Sequence, residues 1–402
     1  MVDTELDLPA TPRPYKGAPW PHFDEDEVAA VTRILRSGKI NYWTGPEGRE
    51  FEREYAGYFG AKHAVALTNG SVALELALHA LNLQPGDQVV VTPRTFLASA
   101  SAAILRGLDI VFADVDRDSG NITPESIEKV LTPKSKAIIP VHLGGWPCEM
   151  PAIMELAKAK SLYVVEDCAQ SHAATIDGRF AGTFGHVNAW SFCQDKIITT
   201  GGEGGMITSD NKEWWEKAWS YKDHGKSYDE VFNKEHGPGY RWVHNSFGTN
   251  WRLTEMQSAI GRIQLRKLKD WVAKRRANAQ ILIDRLRNVE GIRVPVPREG
   301  IENSYYRFYM YLKPGVLKSN ITRDVLVSQI AESGVPAFSG SCSEVYLEKA
   351  FDGTPYKPSP RLPIARELGE TSLAFLVHST LTADDMHRTA DAFCKAFDAC
   401  KR

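Results

Sequence analysis

Lys196 follows the run Ser191-Phe192-Cys193-Gln194-Asp195 and shortly precedes the glycine cluster Gly201-Gly202-Glu203-Gly204-Gly205. A lysine between a strand end and a glycine turn can attack a carbonyl and form a Schiff base, provided its surroundings depress its pKa. Twenty-nine residues earlier, Val164-Val165-Glu166-Asp167 reads as a strand ending in carboxylates. An acid at one strand end and a lysine at another are two parts of a pyridoxal phosphate site. Such a site must also hold a phosphate, stack a pyridine ring and keep the ring nitrogen protonated.

Each remaining requirement has a candidate and a plainer alternative. Thr68-Asn69-Gly70-Ser71 lies between a strand and a helix. Gly70 lets the backbone approach a phosphate, and the helix start offers free N–H groups. The same residues read equally well as a plain serine N-cap. Ser191 adds a hydroxyl, or is merely a strand serine. Asp167 can pair with a protonated ring nitrogen, or cap the turn after it. Gln170 and His172 stand beside it, and His172 taken alone reads as a satisfied buried histidine. Phe96, after Pro93-Arg94-Thr95, can cover a ring face, although phenylalanine is a core residue by default.

The elements that must position these residues follow from the hydrophobic pattern. Asp24 to Gly38 reads as an amphipathic helix with Val28, Val31, Ile34 and Leu35 as its apolar stripe. Strands are predicted at Ala64–Leu67, Gln88–Thr92, Asp109–Ala113, Ala137–Val141 and Leu162–Glu166. Helices alternate with them at Ser71–Leu83, Leu97–Leu105, from Thr123, and at Pro151–Ala159. Continuous apolar strands alternating with helices predict an α/β fold with a mostly parallel sheet covered on both faces. Shorter strands follow at Val187–Phe192 and Gly205–Ser209, then a long polar segment from Lys222 to Gly248. A helix from Leu253 to about Leu286 links to a smaller α+β domain with a strand at Tyr305–Leu312 and a helix at Arg323–Glu332. The expected division is an N-terminal arm at 1–20, a large domain at 21–265, and the linking helix with a small domain at 266–402.

Composition narrows the class. The chain has 402 residues, 43% hydrophobic and 24% charged, with a net charge of −2. That is an ordinary enzyme balance with no global field for nucleic acid or a membrane surface. The six cysteines show no CxxC pair, so neither a zinc site nor a disulfide framework is expected, and a reducing cytoplasm fits. The N-terminus does not read as a signal peptide, and no apolar run reaches membrane-spanning length.

Taken in order, the segments resemble the DegT/DnrJ/EryC1/StrS family of sugar aminotransferases from about Pro21 to the C-terminus. The marks are Trp43-Thr44-Gly45-Pro46 with Glu50-Phe51-Glu52, Thr68-Asn69-Gly70-Ser71, Thr95-Phe96, Pro140-Val141-His142-Leu143, Glu166-Asp167-Cys168-Ala169-Gln170, Ser191 to Lys196, Gly202-Glu203-Gly204-Gly205, and Asn250-Trp251-Arg252-Leu253 with Glu255 and Gln257. The resemblance implies the aspartate aminotransferase type I fold, pyridoxal 5'-phosphate as cofactor, and a homodimer with shared active sites. It assigns Lys196 to the Schiff base and the proton shuttle, Asp167 to the pyridine nitrogen, Gln170 to the ring hydroxyl and Phe96 to stacking. Gly70, Ser71 and Ser191 hold the phosphate, with Asn250 reaching it from the partner subunit. His172, Lys226, Arg241 and His244 are expected near the substrate. No metal is implied. Arg94 stands where a small residue is usual, which would alter charge near cofactor or substrate.

The implied reaction moves an amino group from L-glutamate to a keto- or aldehydo-sugar, commonly nucleotide-linked, in amino-sugar or surface polysaccharide synthesis. The alternatives are a free sugar acid such as an 8-oxo-octulosonate, an aminohydroxybenzoate precursor, or sugar dehydration. Related dehydratases carry histidine at the lysine position, so Lys196 favours amination.

Overall fold

A computed structural model describes residues 19–402. The expected N-terminal arm lies outside the described residues except for Pro19 and Trp20. Seven strands form the main sheet in the spatial order His63–Leu67, Gly205–Ser209, Val187–Ser191, Tyr163–Asp167, Ser135–Ile139, Gln88–Val91, Asp109–Phe112. Six run parallel, and Gly205–Ser209 alone is reversed, pairing antiparallel with both its neighbours. Strands such as Val187–Ser191 and Gly205–Ser209 are buried throughout, as expected where both sheet faces are covered.

The carboxyl ends of the parallel strands carry the chemistry-bearing residues. In an open α/β sheet this edge is where strand ends leave a crevice for ligands. Helix Gly70–Ala80 packs on strands Val187–Ser191 and Gly205–Ser209 with Leu74, Leu76, Ala77 and Leu78 buried. This packing fixes the helix start beside Ser191.

A second sheet of four antiparallel strands has the order Ile292–Arg293, Phe308–Leu312, Ser372–Phe375, Ala337–Phe338. Helices Arg323–Glu332 and Ala383–Cys400 cover it, with Phe308, Met310, Leu326, Ile330, Phe375 and Phe393 in a core of their own. Helix Glu255–Leu286 opens on a capping box, Thr254 with Gln257, and packs on helices of both parts of the chain. The expected boundary at residues 265 and 266 falls within this helix.

Two local expectations are corrected. In helix Glu25–Ser37 the buried residues are Glu27 and Ile34, while Val28 and Leu35 are 51% and 55% exposed. Lys267 explains the buried glutamate: its ammonium lies 2.8 Å from Glu27, Asp24 and Asp26. The helix predicted from Ser71 instead runs Gly70–Ala80, and its cap is Asn69, whose side chain accepts from the Val72 N–H at 3.0 Å. The six cysteines are all free. No helix among the described residues is long and apolar enough to cross a membrane.

Candidate active site

Asn69 capping leaves the Ser71 hydroxyl out of the helix start, and Ser71 lines a cavity of about 730 Å³ at the sheet's carboxyl edge. The turn is closely packed. A Cβ on Gly70 would lie 2.6 Å from the Ser191 Cβ, and one on Gly205 would lie 2.2 Å from the Asn69 carbonyl oxygen. Glycine at both positions lets the helix N-terminus sit against Ser191, which concentrates N–H groups and hydroxyls where an anion would bind.

Asp167 ends strand Tyr163–Asp167 and lines the same cavity. Its Oδ2 accepts from Ser99 at 2.8 Å, and its Oδ1 from the Ala169 N–H at 3.1 Å. Ser99 is in turn 2.7 Å from Thr95. Burial raises the carboxyl pKa, opposed by these hydrogen bonds and by the charge of Lys196. The preceding Glu166 anchors the strand end from behind. It is 2.9 Å from His142 Nε2 and accepts N–H groups of Gly182, Phe184 and Gly185. Its oxygens are thus already engaged by protein donors. The Cys148 N–H donates to His142 Nδ1 at 3.0 Å, so the proton is on Nε2.

The Gln170 oxygen accepts from the Gly144 N–H at 2.7 Å, which turns its NH₂ into the group offered to the cavity. Phe96 is 71% exposed at the cavity wall, so its ring is not a core residue. A ring stacked there would cover apolar surface that water now meets.

Lys196 is the only cation lining the cavity among the described residues. Its Nζ lies 3.8 Å from Asp195 Oδ1 and 4.7 Å from the centre of the Tyr306 ring. Tyr306 donates to Asp195, and Arg307 lies 3.5 Å from the same carboxylate. Burial alone would lower the Lys196 pKa, but Tyr306, Asp195 and Asp167 outweigh it and the net direction is up. The depression that Schiff-base formation asks for is therefore not supplied by these neighbours, which favour the ammonium form of Lys196. Its carbonyl oxygen accepts from Trp20 Nε1 at 3.0 Å.

Other expected residues are elsewhere. His172 is fully buried against Trp190 and Phe192, outside the cavity lining, and neither ring nitrogen has a partner. It is neither a substrate contact here nor the satisfied histidine of the plainer reading. Lys226 donates to Asp223 at 2.7 Å and lies over Trp43. Arg241 donates to the Val231 carbonyl at 3.1 Å, and His244 and Asn250 are exposed. None of these four lines this chain's own cavity. Arg94 is fully buried and also outside it, so the expected effect on charge near a ligand is not direct. Glu203, Asp195, Tyr306, Ser341 and Cys342 line the cavity without having been singled out. Adjacency to Lys196 was a signal for Asp195. Ser341 and Cys342 carry no local signal at all.

The buried His172 carries a pH dependence. Burial, then the charges of Lys196 and Arg275, lowers its pKa to about 3. The unfolded chain binds a proton there below roughly pH 6.5, so stability falls as pH drops from there toward about 3. At pH 5 the loss is about 2 kcal/mol. His172→Phe is expected to shrink the difference in unfolding free energy between pH 7 and pH 5 by about 2 kcal/mol in urea melts of the cofactor-free protein. An unchanged difference would refute the assignment.

These residues fit pyridoxal phosphate. A helix start packed on Ser191 suits the phosphate, and a buried carboxylate suits a protonated ring nitrogen. An amide NH₂ suits the ring hydroxyl, an exposed phenyl the ring face, and a lysine the aldehyde. Fold and cavity define a pyridoxal-phosphate-dependent transferase of the aspartate aminotransferase type. More narrowly, the chain belongs to the DegT/DnrJ/EryC1/StrS aminotransferase family, which it matches over residues 21–394. It is similar to the crystal structure of an aminotransferase from Psychrobacter cryohalolentis, with 53% identity and a TM-score of 0.93 over 95% of this chain and 99% of that one. It is 32% identical to the dTDP-3-amino-3,4,6-trideoxy-alpha-D-glucose transaminase of Streptomyces venezuelae, covering 90% of each. It is also 32% identical to the UDP-N-acetyl-3-dehydro-alpha-D-glucosamine 3-aminotransferase of Acidithiobacillus ferrooxidans, covering 91% of this chain and 92% of that one. The protein is a pyridoxal-phosphate-dependent aminotransferase of the sugar aminotransferase family.

Proposed function

We propose that the protein moves an amino group from L-glutamate to a keto- or aldehydo-sugar carried on a nucleotide. The observation that carries this reading is the convergence of Lys196, Asp167, Gln170 and Ser191 on one cavity, with lysine rather than histidine at its centre. Relatives named for dTDP- and UDP-linked sugars support a nucleotide-linked acceptor without choosing the base.

Bound pyridoxal phosphate supplies an electron sink for the carbon that loses its proton. Gly70, Ser71 and Ser191 bind its phosphate, Phe96 covers the ring, and Gln170 donates to the ring hydroxyl. Asp167 accepts the ring N–H and holds that proton in place. Lys196 would hold the aldehyde, and its free amine would take up a proton at Nζ from one carbon and return it to another. In a homodimer, Asn250 of one subunit reaches the phosphate of the other, and Lys226, Arg241 and His244 border the partner's substrate. Tyr240, Trp242 and Phe247, 75%, 83% and 100% exposed in the same segment, supply apolar surface for that contact. This division of labour accounts for their absence from their own cavity.

The test is a screen of keto sugars, free and linked to dTDP, UDP or GDP, with ¹⁵N-labelled L-glutamate, read by product mass. Labelled nitrogen in a nucleotide-linked sugar is the expected result. A dehydrated product without label, or label only in a free sugar acid, sinks this reading.

A further inference from the structure

Arg94 has no role in the reading above, and the resemblance leads one to expect a small residue in its place. It lies just beyond strand Gln88–Val91, and the next two residues, Thr95 and Phe96, line the cavity. The side chain turns away and is fully buried. Its guanidinium lies 5.3 and 5.5 Å from the ring centres of Tyr309 and Tyr311, two residues apart on one face of strand Phe308–Leu312. Its Nη1 donates to Ser343 Oγ at 2.8 Å, while Nε and Nη2 have no partner among the described residues. A buried guanidinium with one hydrogen bond is costly, and aromatic faces return only part of that cost. A merely space-filling role would be met more cheaply by an apolar side chain.

What the contact holds is the loop 339–343. Gly340, at φ 92°, presses on Tyr309 so closely that a Cβ would lie 2.3 Å from the ring. The Tyr309 hydroxyl accepts from the Ser341 N–H at 2.8 Å and is 3.1 Å from the Ser341 hydroxyl. Two residues past Ser343, the Val345 N–H donates to the Pro93 carbonyl at 2.8 Å. Between these ties, Ser341 and Cys342 line the cavity with Lys196 and Phe96.

We propose that Arg94 is a positioning residue that latches the Ser341–Cys342 wall to the Thr95–Phe96 wall and so sets where the sugar acceptor sits. Because the latch joins residues distant in sequence, it fixes the cavity's width without touching its contents. The proposal rests on the preceding reading only in taking this cavity as the place of reaction.

The test uses Arg94→Met, which keeps the length and removes the donor, with Ser343→Ala and Ser343→Thr as a second pair. Hydrogen exchange is followed by mass on the holoenzyme. The peptide covering residues 339–345 is expected to exchange at least about tenfold faster in Arg94→Met and Ser343→Ala. It should keep roughly the wild-type rate in Ser343→Thr, where the acceptor hydroxyl remains, and a peptide over residues 68–75 should not change. With L-glutamate and the keto sugar that yields product in the screen, acceptor KM is expected to rise about tenfold while kcat stays within about twofold. Exchange at 339–345 within about twofold of wild type in both variants overturns the proposal. So does equal acceleration along the whole chain, or an unchanged acceptor KM in variants whose loop has loosened. If Arg94→Met does not fold, the Ser343 pair decides. A screen without aminated product refutes the proposed function and leaves the exchange result to judge the latch.

Discussion

Lys196→Ala is expected to lower turnover by on the order of 10⁴-fold while the protein still binds pyridoxal phosphate. The loss is large because Lys196 is the only cation of its own chain lining the cavity among the described residues, so no other amine of that chain substitutes for it. Binding survives because the groups suited to hold the cofactor are separate: the Gly70–Ser71 helix start, Ser191, Asp167, Gln170 and Phe96 all stay in place. The substitution also strips Asp195 of the ammonium 3.8 Å away, leaving Tyr306 and Arg307 to hold that carboxylate. Equilibrium dialysis against pyridoxal phosphate, with product formation followed over days, checks both halves. A variant turning over within tenfold of wild type would remove Lys196 from the reaction.

Asp167→Asn is expected to cost on the order of 10³-fold in turnover, since breaking a buried charge pair costs about 3–5 kcal/mol. The effect on the empty protein runs the other way. Burial holds the Asp167 carboxyl above its ordinary pKa, so the fold favours its protonated form. Above that raised pKa the ionised carboxylate lowers stability, and stability is regained as pH falls through it. The asparagine carries no charge and keeps an acceptor for Ser99 or Ala169. Cofactor-free Asp167→Asn is therefore expected to melt at or above the wild-type temperature at pH 7, and to be far slower once loaded. Scanning calorimetry without cofactor and steady-state rates with it test the two signs independently. A slower enzyme that is also less stable when empty would mean that Asp167 serves the fold rather than the ring.

Much of the site is legible in the chain because its parts are local. A turn such as Asn69-Gly70-Ser71, an acid pair closing an apolar strand and a glycine run after a lysine each announce themselves within a few residues. Strand and helix periodicity places all three at the carboxyl edge of a parallel sheet, since successive strands of such a sheet end on the same side. Their order along the chain carries the family resemblance that the comparisons bear out.

Tertiary structure decided what depends on distance through space. The helix cap is Asn69 rather than Ser71 because the Asn69 side chain reaches the Val72 N–H, which frees Ser71 for the cavity. The surroundings of Lys196 favour its ammonium form because Tyr306, 110 positions on, completes a cluster with Asp195 that outweighs burial. His172 is withdrawn into an aromatic core although it stands two positions from Gln170, which faces the cavity. Residue types and spacing determined which chemistry this protein can do. Packing determined the charge on its lysine and which hydroxyls face the cavity, because electrostatics and burial are set by neighbours in space rather than along the chain.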